Sequence, residues 1–388
     1  MSYEFTDEQR QIREAVLKMC GRFGDDYWLD HDRSGVFPEE FYRAVADEGW
    51  LGIAMPEAYG GAGLGIFEAA ILMQAIAESG AAMSGSSAVH MNIFGLHPVV
   101  VLGTDEQKSR MLPPLIRGEH KACFAVTEPD AGLNTTQIKT RAERRGDDYV
   151  ISGTKIWTST AQVANKCLIL ARTTPVERVT SRTSGLSLFY TDLDRARVEV
   201  RLIHKMGRHS VDSNMVFFDG LVVPAADRIG PEDEGFRSIL HGMNPERVLV
   251  AAEAVGIGRA ALRKAAQYAR ERVVFGRPIG QNQGIQHPLA KCWMHLEAAN
   301  LMVFRAAALY DAGKECGAEA NSAKYLAGEA AFDACQTAVM TLGGMGYSSE
   351  YHVERYLREC MIPRIAPVSP QMIMNFIAEK VLGLPRSY

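Results

Sequence analysis

Apolar side chains recur at helical spacing from Thr6 to about residue 110, with few β-branched residues that alternate with polar ones. The first four residues of this stretch, Thr6-x-x-Gln9, have the form of a capping box, which marks the start of a helix. Pro38 suits the first turn of a second helix. The pattern predicts an N-terminal helical part, with further helices at about 38–48, 66–79 and 105–116.

Short runs of β-branched and aromatic residues follow in the middle of the chain, separated by turn residues at the spacing of an antiparallel sheet or barrel. Long helical periodicity returns after Gly235 and favours an antiparallel helical bundle. Its predicted helices lie near 236–271, 283–312, 318–341, 350–361 and 370–382. The chain is therefore predicted to be an α+β protein with an N-terminal α-helical domain at 1–120, a middle antiparallel β domain at 121–234 and a C-terminal α-helical bundle at 235–388.

Composition and charge exclude several classes of protein. The chain has 388 residues, with 42 Lys and Arg against 46 Asp and Glu, so a nucleic-acid partner is not expected. Its 47% hydrophobic and 23% charged residues are typical of a globular fold. The first residues have no signal-peptide pattern, and polar residues interrupt each apolar run before a membrane span is reached. We expect a cytoplasmic protein with no membrane span.

The seven cysteines are odd in number, and none forms a C-x-x-C pair. This spacing indicates neither a disulfide framework nor a zinc site, so we expect buried thiols and no bound metal. Gly256-Ile257-Gly258 begins a match to the dinucleotide fingerprint. However, the surrounding residues are Ala-rich, with charges at helical spacing, so close helix packing is the favoured interpretation.

Four other segments carry more information. The segment 126–132, Val-Thr-Glu-Pro-Asp-Ala-Gly, ends an apolar run in a turn, and 155–159, Lys-Ile-Trp-Thr-Ser, places an aromatic ring beside two hydroxyl groups. Such segments could offer donors and a flat wall to a planar heteroaromatic ring, although a β-turn and a core Trp are the favoured interpretation of each segment taken alone. The segment 272–279 has two guanidinium groups that suit a pyrophosphate, and the glycines of 342–347 allow a ligand to approach the backbone.

Taken in order, these four segments resemble the acyl-CoA dehydrogenase family over essentially the whole chain. Three further matches support the resemblance: Pro-Glu-x-Tyr-Gly-Gly at 56–61, Lys-Met-Gly at 205–207 and Glu-Arg-x-x-Arg-Glu at 354–359. The resemblance implies an acyl-CoA dehydrogenase-like fold and an FAD-dependent oxidoreductase of fatty acid metabolism. It also implies a homotetramer, or a homodimer, in which a neighbouring subunit completes the flavin site.

The resemblance also implies positions for the cofactor-binding residues. Around the isoalloxazine ring it places Phe124, Val126, Thr127, Trp157 and Ser159, with Leu133 where many members have a hydroxyl. Near the adenosine diphosphate part, across the subunit interface, it places Arg272, Phe275 and Gln283, with Gly344, Ser369 and Gln371 nearby.

The catalytic base of many members is absent here, because Pro367 stands where those members have a Glu. Isovaleryl-CoA and long-chain acyl-CoA dehydrogenases carry the base on an earlier helix, and the matching residue is Glu246. Its other interpretation is an acidic residue at a helix N-terminus beside a proline. Asn244 and Arg247 are the candidate substrate-binding residues. Proline also lacks an N–H, so one donor to the thioester oxygen is lost at Pro367.

These residues predict the α,β-dehydrogenation of an acyl-CoA thioester to a trans-2-enoyl-CoA, with electrons passed to an electron-transferring flavoprotein. Two alternatives stay open at this point. Pro367 and Leu133 also fit a flavin oxidase or monooxygenase of the same fold, and a non-catalytic member would keep the fold alone.

Overall fold

The computed structural model describes residues 4–387 and confirms the predicted order of an N-terminal helical part, a middle sheet and a C-terminal helical part. The capping box at Thr6 is present, since the Thr6 hydroxyl accepts from the backbone of Gln9 and the Gln9 side chain accepts in return. The N-terminal helices are α1 (Asp7–Cys20), α2 (Asp25–Ser34), α3 (Glu39–Asp47), α4 (Ile66–Ile76), α5 (Ala82–Phe94), α6 (His97–Leu102) and α7 (Asp105–Ile116).

Eight strands form the middle sheet: β1 (Ala122–Ala125), β2 (Arg141–Arg145), β3 (Asp148–Ser159), β4 (Lys166–Arg172), β5 (Leu186–Asp192), β6 (Val198–Leu202), β7 (Ser213–Pro224) and β8 (Arg228–Ile229). The order across the sheet is β6-β7-β3-β2-β4-β5-β8, and β1 pairs with β4. Most pairs are antiparallel, as predicted, but β1 runs parallel to β4, and β2 meets β4 in a parallel pair. The sheet is therefore mixed, because β1 enters it directly from the helical part rather than through a hairpin.

The C-terminal part contains α8 (Gly235–Glu271), α9 (Gln283–Asp311), α10 (Gly317–Leu342), α11 (Val353–Glu359), α12 (Met361–Ile365) and α13 (Pro370–Phe376). A two-stranded hairpin, β9 (Val273–Val274) and β10 (Arg277–Pro278), connects α8 to α9. Helices α8, α9 and α10 pack on one another, and α4 joins them through a shared hydrophobic core.

The glycines of the dinucleotide-like motif lie inside α8 and serve helix packing. A Cβ atom on Gly256 would lie 2.5 Å from the carbonyl oxygen of Gln74 on α4, and one on Gly258 would lie 2.6 Å from the Leu296 side chain on α9. These distances leave no room for a larger residue. The packing interpretation of this motif is therefore confirmed.

One stretch of helix, Ile66–Leu102, is long and apolar enough to cross a membrane by length and composition, with a mean hydropathy of 1.3. However, 78% of its apolar window is buried inside the protein, as in the core helix of a globular fold. All seven cysteines are buried free thiols, as predicted.

Candidate functional site

A β-bulge near the end of β3 turns Trp157 away from the core. The pairing of β3 with β7 shifts register between Lys155 and Thr158, so that two residues of β3 face one residue of β7. Trp157 adopts a left-handed backbone conformation, with φ of 62°, and its side chain is 57% exposed. The interpretation of Trp157 as a core residue is therefore wrong, and its ring forms an open apolar wall.

A buried ion pair holds the neighbouring turn in place. Lys155 is fully buried, and its Nζ lies 3.0 Å from Glu128 Oε1 and donates to the Val126 carbonyl at 2.9 Å. Glu128 also accepts from the backbone N–H groups of Lys139 and Thr140. Burial lowers the pKa of Lys155 to about 8, although Glu128 opposes this shift. The pair fixes the turn relative to the bulge.

The turn presents unpartnered donors beside the Trp157 ring. The Ile156 N–H donates to the Thr127 carbonyl at 2.9 Å, while neither the N–H nor the hydroxyl of Thr127 bonds to any residue in 4–387. Leu133, in the following loop, is 65% exposed. Phe124 on β1 and Val126 are partly buried and pack against a cluster of buried hydrophobic residues. The flat ring and the free polar groups fit a planar heterocycle.

Glu246 lies inside α8, eleven residues after its first residue, and Pro245 is also within the helix. The alternative interpretation of Glu246 as a helix N-terminal residue is therefore wrong. Its side chain is only partly exposed, and loss of hydration raises the pKa of its carboxyl group, although His90 and Arg247 favour the ionised form. Arg247 donates to Asn244 Oδ1 at 3.0 Å, so the three residues form one group.

Sequence reasoning missed four charged residues around Glu246. On α5, His90 lies 2.7 Å from the Glu253 carboxylate of α8, and both side chains are buried. Burial opposes protonation of His90, but Glu253 raises the pKa of the imidazole overall. Glu253 is the only carboxylate in an apolar run of the sequence, and a carboxylate is costly to bury without a partner. Its position was therefore the available signal that a buried partner exists.

Arg208 extends this cluster to the end of β3. Glu253 acts electrostatically on its guanidinium, which donates to Ser159 Oγ at 3.1 Å. Pairwise interactions thus connect Glu246 to His90, His90 to Glu253, Glu253 to Arg208 and Arg208 to Ser159. A series of electrostatic interactions therefore runs from the predicted base to the end of β3, next to the bulge that carries Trp157.

Lys324 connects the same cluster to the segment that carries Pro367. Its Nζ donates to the carbonyl oxygens of Val368 at 2.6 Å and Arg364 at 3.2 Å. Burial, with Arg247 as the next cause, lowers the pKa of Lys324 to about 8, and its charge favours ionisation of Glu246. Both family positions of the base, 246 and 367, therefore border the same cluster.

The residues assigned to the adenosine diphosphate part lie elsewhere. Arg272 and Phe275 lie at the hairpin between α8 and α9, and Gln283 is the first residue of α9. All three are exposed, and Phe275 is fully exposed with φ of 52°. Gly344 is exposed after α10, and a Cβ atom there would meet nothing within 4 Å. Ser369 is the N-cap of α13, where it accepts from Met372, and Gln371 follows as an exposed residue. No hydrogen bond within 4–387 joins these residues to Thr127, Trp157 or Glu246.

The side chains and backbone around Trp157 fit a flavin ring, with an apolar wall at Trp157 and free donors at Thr127. The region 4–387 contains no group of three or more His, Cys, Asp or Glu residues arranged to hold a metal ion.

Three family profiles match the chain in order. They are "Acyl-CoA dehydrogenase, N-terminal domain" at residues 6–119, "Acyl-CoA dehydrogenase, middle domain" at 123–221 and "Acyl-CoA dehydrogenase, C-terminal domain" at 233–382. Among named relatives, the chain is 37% identical to the acyl-CoA dehydrogenase FadE12 of Mycobacterium tuberculosis, over 100% of this chain and 99% of the relative. It is 32% identical to the caffeyl-CoA reductase-Etf complex subunit CarC of Acetobacterium woodii, over 97% and 99%.

Solved structures give the same result. Butyryl-CoA dehydrogenase from Megasphaera elsdenii superposes with a TM-score of 0.93 at 27% identity, over 98% of this chain and 100% of that one. An FAD complex of PigA superposes with a TM-score of 0.93 at 25% identity, over 99% and 100%.

Proposed function

Because the chain belongs to the acyl-CoA dehydrogenase family, we propose that it converts an acyl-CoA thioester to the trans-2-enoyl-CoA with FAD as cofactor. The chain is an oxidoreductase, and we propose that an electron-transferring flavoprotein reoxidises it. The name of the Acetobacterium woodii relative, which places that protein in an Etf complex, supports this choice of partner.

The observation that carries the proposal is the environment of Glu246. Desolvation raises the pKa of its carboxyl group, which makes the ionised form a stronger base than a carboxylate in water. The reaction removes a weakly acidic proton from the carbon next to the thioester, and Glu246 Oε accepts that proton in this assignment. Arg247 and Asn244, hydrogen-bonded to each other, line the approach to Glu246 as substrate contacts.

The cofactor's place follows from the chain's own groups. When bound, FAD supplies the acceptor for the hydride that leaves the adjacent carbon. Trp157 offers its exposed face as a wall for the ring, and the Thr127 N–H and hydroxyl are free to hold the ring's polar edge. Leu133, exposed on the following loop, offers an apolar side chain to the substrate side of the ring in this proposal.

The thioester oxygen needs a donor in place of the missing N–H at Pro367. The Val368 N–H bonds to no residue in 4–387, while Lys324 holds the Val368 carbonyl at 2.6 Å. We assign the Val368 N–H as the remaining backbone donor. Removal of one such donor costs about 3 kcal/mol of transition-state stabilisation in enzymes where it has been measured.

The exposed residues of the α8–α9 hairpin imply an assembly. In their own chain, no hydrogen bond joins Arg272, Phe275 or Gln283 to the residues around Trp157 and Glu246. In this proposal they therefore reach the adenosine diphosphate part of a cofactor bound to another subunit. A cytoplasmic homotetramer, or homodimer, with units at 1–120, 121–234 and 235–388 completes the proposal.

An anaerobic titration tests the assignment. The yellow holoenzyme is mixed with straight, branched and cyclic acyl-CoAs, and loss of the flavin absorbance is followed. Glu246→Gln should retain FAD but slow bleaching by about 10²- to 10⁴-fold, the usual contribution of a general base. Glu271→Gln, an exposed carboxylate near the other end of α8, is the matched control and should bleach normally. Normal bleaching by Glu246→Gln would exclude it as the base.

One observation favours a second function. Loss of the backbone donor at Pro367 weakens thioester activation, which fits a flavin oxidase or monooxygenase of the same fold. Stopped-flow mixing of the reduced protein with oxygen separates the two functions. Slow reoxidation by oxygen and fast reoxidation by an electron-transferring flavoprotein would support the dehydrogenase.

A further inference from the structure

Arg208 is a buried cation whose hydrogen-bond partners are neutral. Only 8% of the residue is exposed, and its guanidinium donates to the hydroxyl oxygens of Ser87 at 3.0 Å, Ser159 at 3.1 Å and Ser213 at 3.1 Å. Its Nε is buried with no partner among the described residues. A guanidinium removed from water usually lies against a carboxylate, and Arg208 has none within 4 Å in residues 4–387.

The acidic groups that influence Arg208 are engaged elsewhere. Glu253 binds His90, Asp212 accepts from the Gln162 backbone at 3.0 Å, and Glu359 accepts from Ser84. Their charges reach Arg208 over distances beyond contact. The positive charge is therefore only partly compensated, and it lies where α5 meets the end of β3.

The backbone of Arg208 is held in an uncommon conformation. Its φ is 55°, in the left-handed region that non-glycine residues seldom adopt. The preceding residue, Gly207, lies so close to α11 that a Cβ atom there would be 3.0 Å from the backbone carbonyl carbon of Arg358. Strain of this kind persists where the surrounding contacts require it, and it often marks functional sites.

Ser159 connects this cation to the proposed flavin site. Its hydroxyl oxygen accepts from Arg208, and its hydroxyl hydrogen has no acceptor among residues 4–387. A hydroxyl that already accepts from a guanidinium is left to act as a donor. Ser159 follows Trp157 by two residues at the end of β3, so this donor lies next to the proposed flavin site.

We propose that Arg208 is a positioning residue that holds the Ser159 hydroxyl as a donor toward the flavin ring and supplies a positive charge that favours flavin reduction. This inference rests on the proposed function, since it requires a bound flavin. Hydride transfer brings two electrons and one proton to the ring, so negative charge arrives there, and a buried cation with neutral partners stabilises it. The charge is weakly screened by water because Arg208 itself is buried.

The test is the reduction potential of the bound flavin, measured by anaerobic reduction of the holoenzyme beside a reference dye. Arg208→Met removes the charge and keeps an unbranched side chain at this buried position. It should lower the equilibrium constant for reduction at least tenfold, which is about 30 mV for a two-electron couple. Arg208→Lys keeps the charge and should recover most of the potential. Ser87→Ala removes one hydrogen bond to the same guanidinium and should leave the potential unchanged.

A double-variant cycle tests the route through Ser159. If Ser159 transmits part of the effect, the shifts of Arg208→Met and Ser159→Ala should be less than additive when combined. An unchanged potential in Arg208→Met, or an equal shift in Ser87→Ala, would overturn the inference. A wild-type protein that binds no flavin would instead contradict the proposed function, so the two failures are distinct. Circular dichroism and the ratio of FAD to protein show that each variant is folded and loaded.

Discussion

The residues assigned to the cofactor fall into two regions that the chain supports in opposite ways. The inner region, the turn at 126–127 and the bulge at 157–159, is fixed by the fully buried Lys155 and its partner Glu128. The outer region, the hairpin between α8 and α9, carries Phe275 fully exposed at its tip. One subunit is therefore sufficient to shape the inner region, whereas in the proposed assembly the outer region acquires its contacts from another subunit.

The largest expected effect comes from breaking the inner ion pair. Lys155→Met leaves the Glu128 carboxylate buried without its cation, which should lower the free energy of unfolding by about 3–5 kcal/mol. Denaturant unfolding of the FAD-loaded protein measures this change. The double variant Lys155→Met, Glu128→Gln removes both charges and should be less destabilised than the single variant. Equal losses in the two proteins would show that the charge pairing is not the cause.

A smaller effect is expected at Lys324, which acts on Glu246 and holds the segment after Pro367. Its charge favours ionisation of Glu246, so Lys324→Met should raise the pKa of that carboxyl group further. The base must be ionised to act, and the acidic limb of the pH profile of bleaching should therefore move to higher pH. We expect roughly tenfold slower bleaching on that limb, a change of about 1.4 kcal/mol. Lys324→Arg keeps the charge and should leave the limb near its original position.

The third prediction concerns the effect of Glu246 on the stability of the folded protein. Since the folded state raises the pKa of this carboxyl group, ionisation is unfavourable in the folded protein, and the penalty disappears as pH falls through that pKa. Glu246→Gln should therefore be more stable than the wild type at pH 8, by an amount on the order of 1 kcal/mol. The difference should shrink toward pH 5. Thermal unfolding at several pH values measures it, and a difference independent of pH would contradict the assigned cause.

The smallest effect on stability is expected in the outer region. Phe275→Asn should change the free energy of unfolding by no more than about 0.5 kcal/mol, because the ring is fully exposed and Asn tolerates a left-handed backbone. The same variant should form smaller assemblies and lose FAD faster on dilution. Light scattering and the flavin content after gel filtration measure both. Unchanged assembly would show that the tip of the hairpin makes no contact between subunits.

The long helices were predicted closely from the sequence, because each has a long apolar stripe and a clear end. Helix α8 was expected at 236–271 and lies at Gly235–Glu271. Helices α2, α5, α6 and α12 were not predicted, and the two longest of them, α2 and α5, were missed for physical reasons. The residues of α2 are mostly charged and bury little beyond Trp28 and Leu29, so the apolar stripe is short. Helix α5 is buried on nearly all sides, so it has no polar face and no periodicity.

The candidate site was only partly predictable. Motifs identified Trp157 and Ser159 because the family keeps that segment together, but no pattern in the sequence shows that the bulge turns Trp157 outward. Arg208 and Lys324 belong to no such motif. Their placement depends on contacts between residues far apart in sequence, such as Arg208 with Ser87 of α5. Only the folded chain reveals this kind of proximity.

Helix α8 has a consequence for how such an enzyme acquires new substrates. Its 37 residues form a rod of about 55 Å, and Gly256 sits so close to the carbonyl of Gln74 that the rod can neither slide nor turn without displacing α4. Glu246 lies along this rod, and the hairpin between α8 and α9 lies at its end. If the proposed function holds, a larger or differently branched acyl group is accommodated by changes in the walls around the carboxylate, while the carboxylate itself stays where the packing of α8 against α4 holds it.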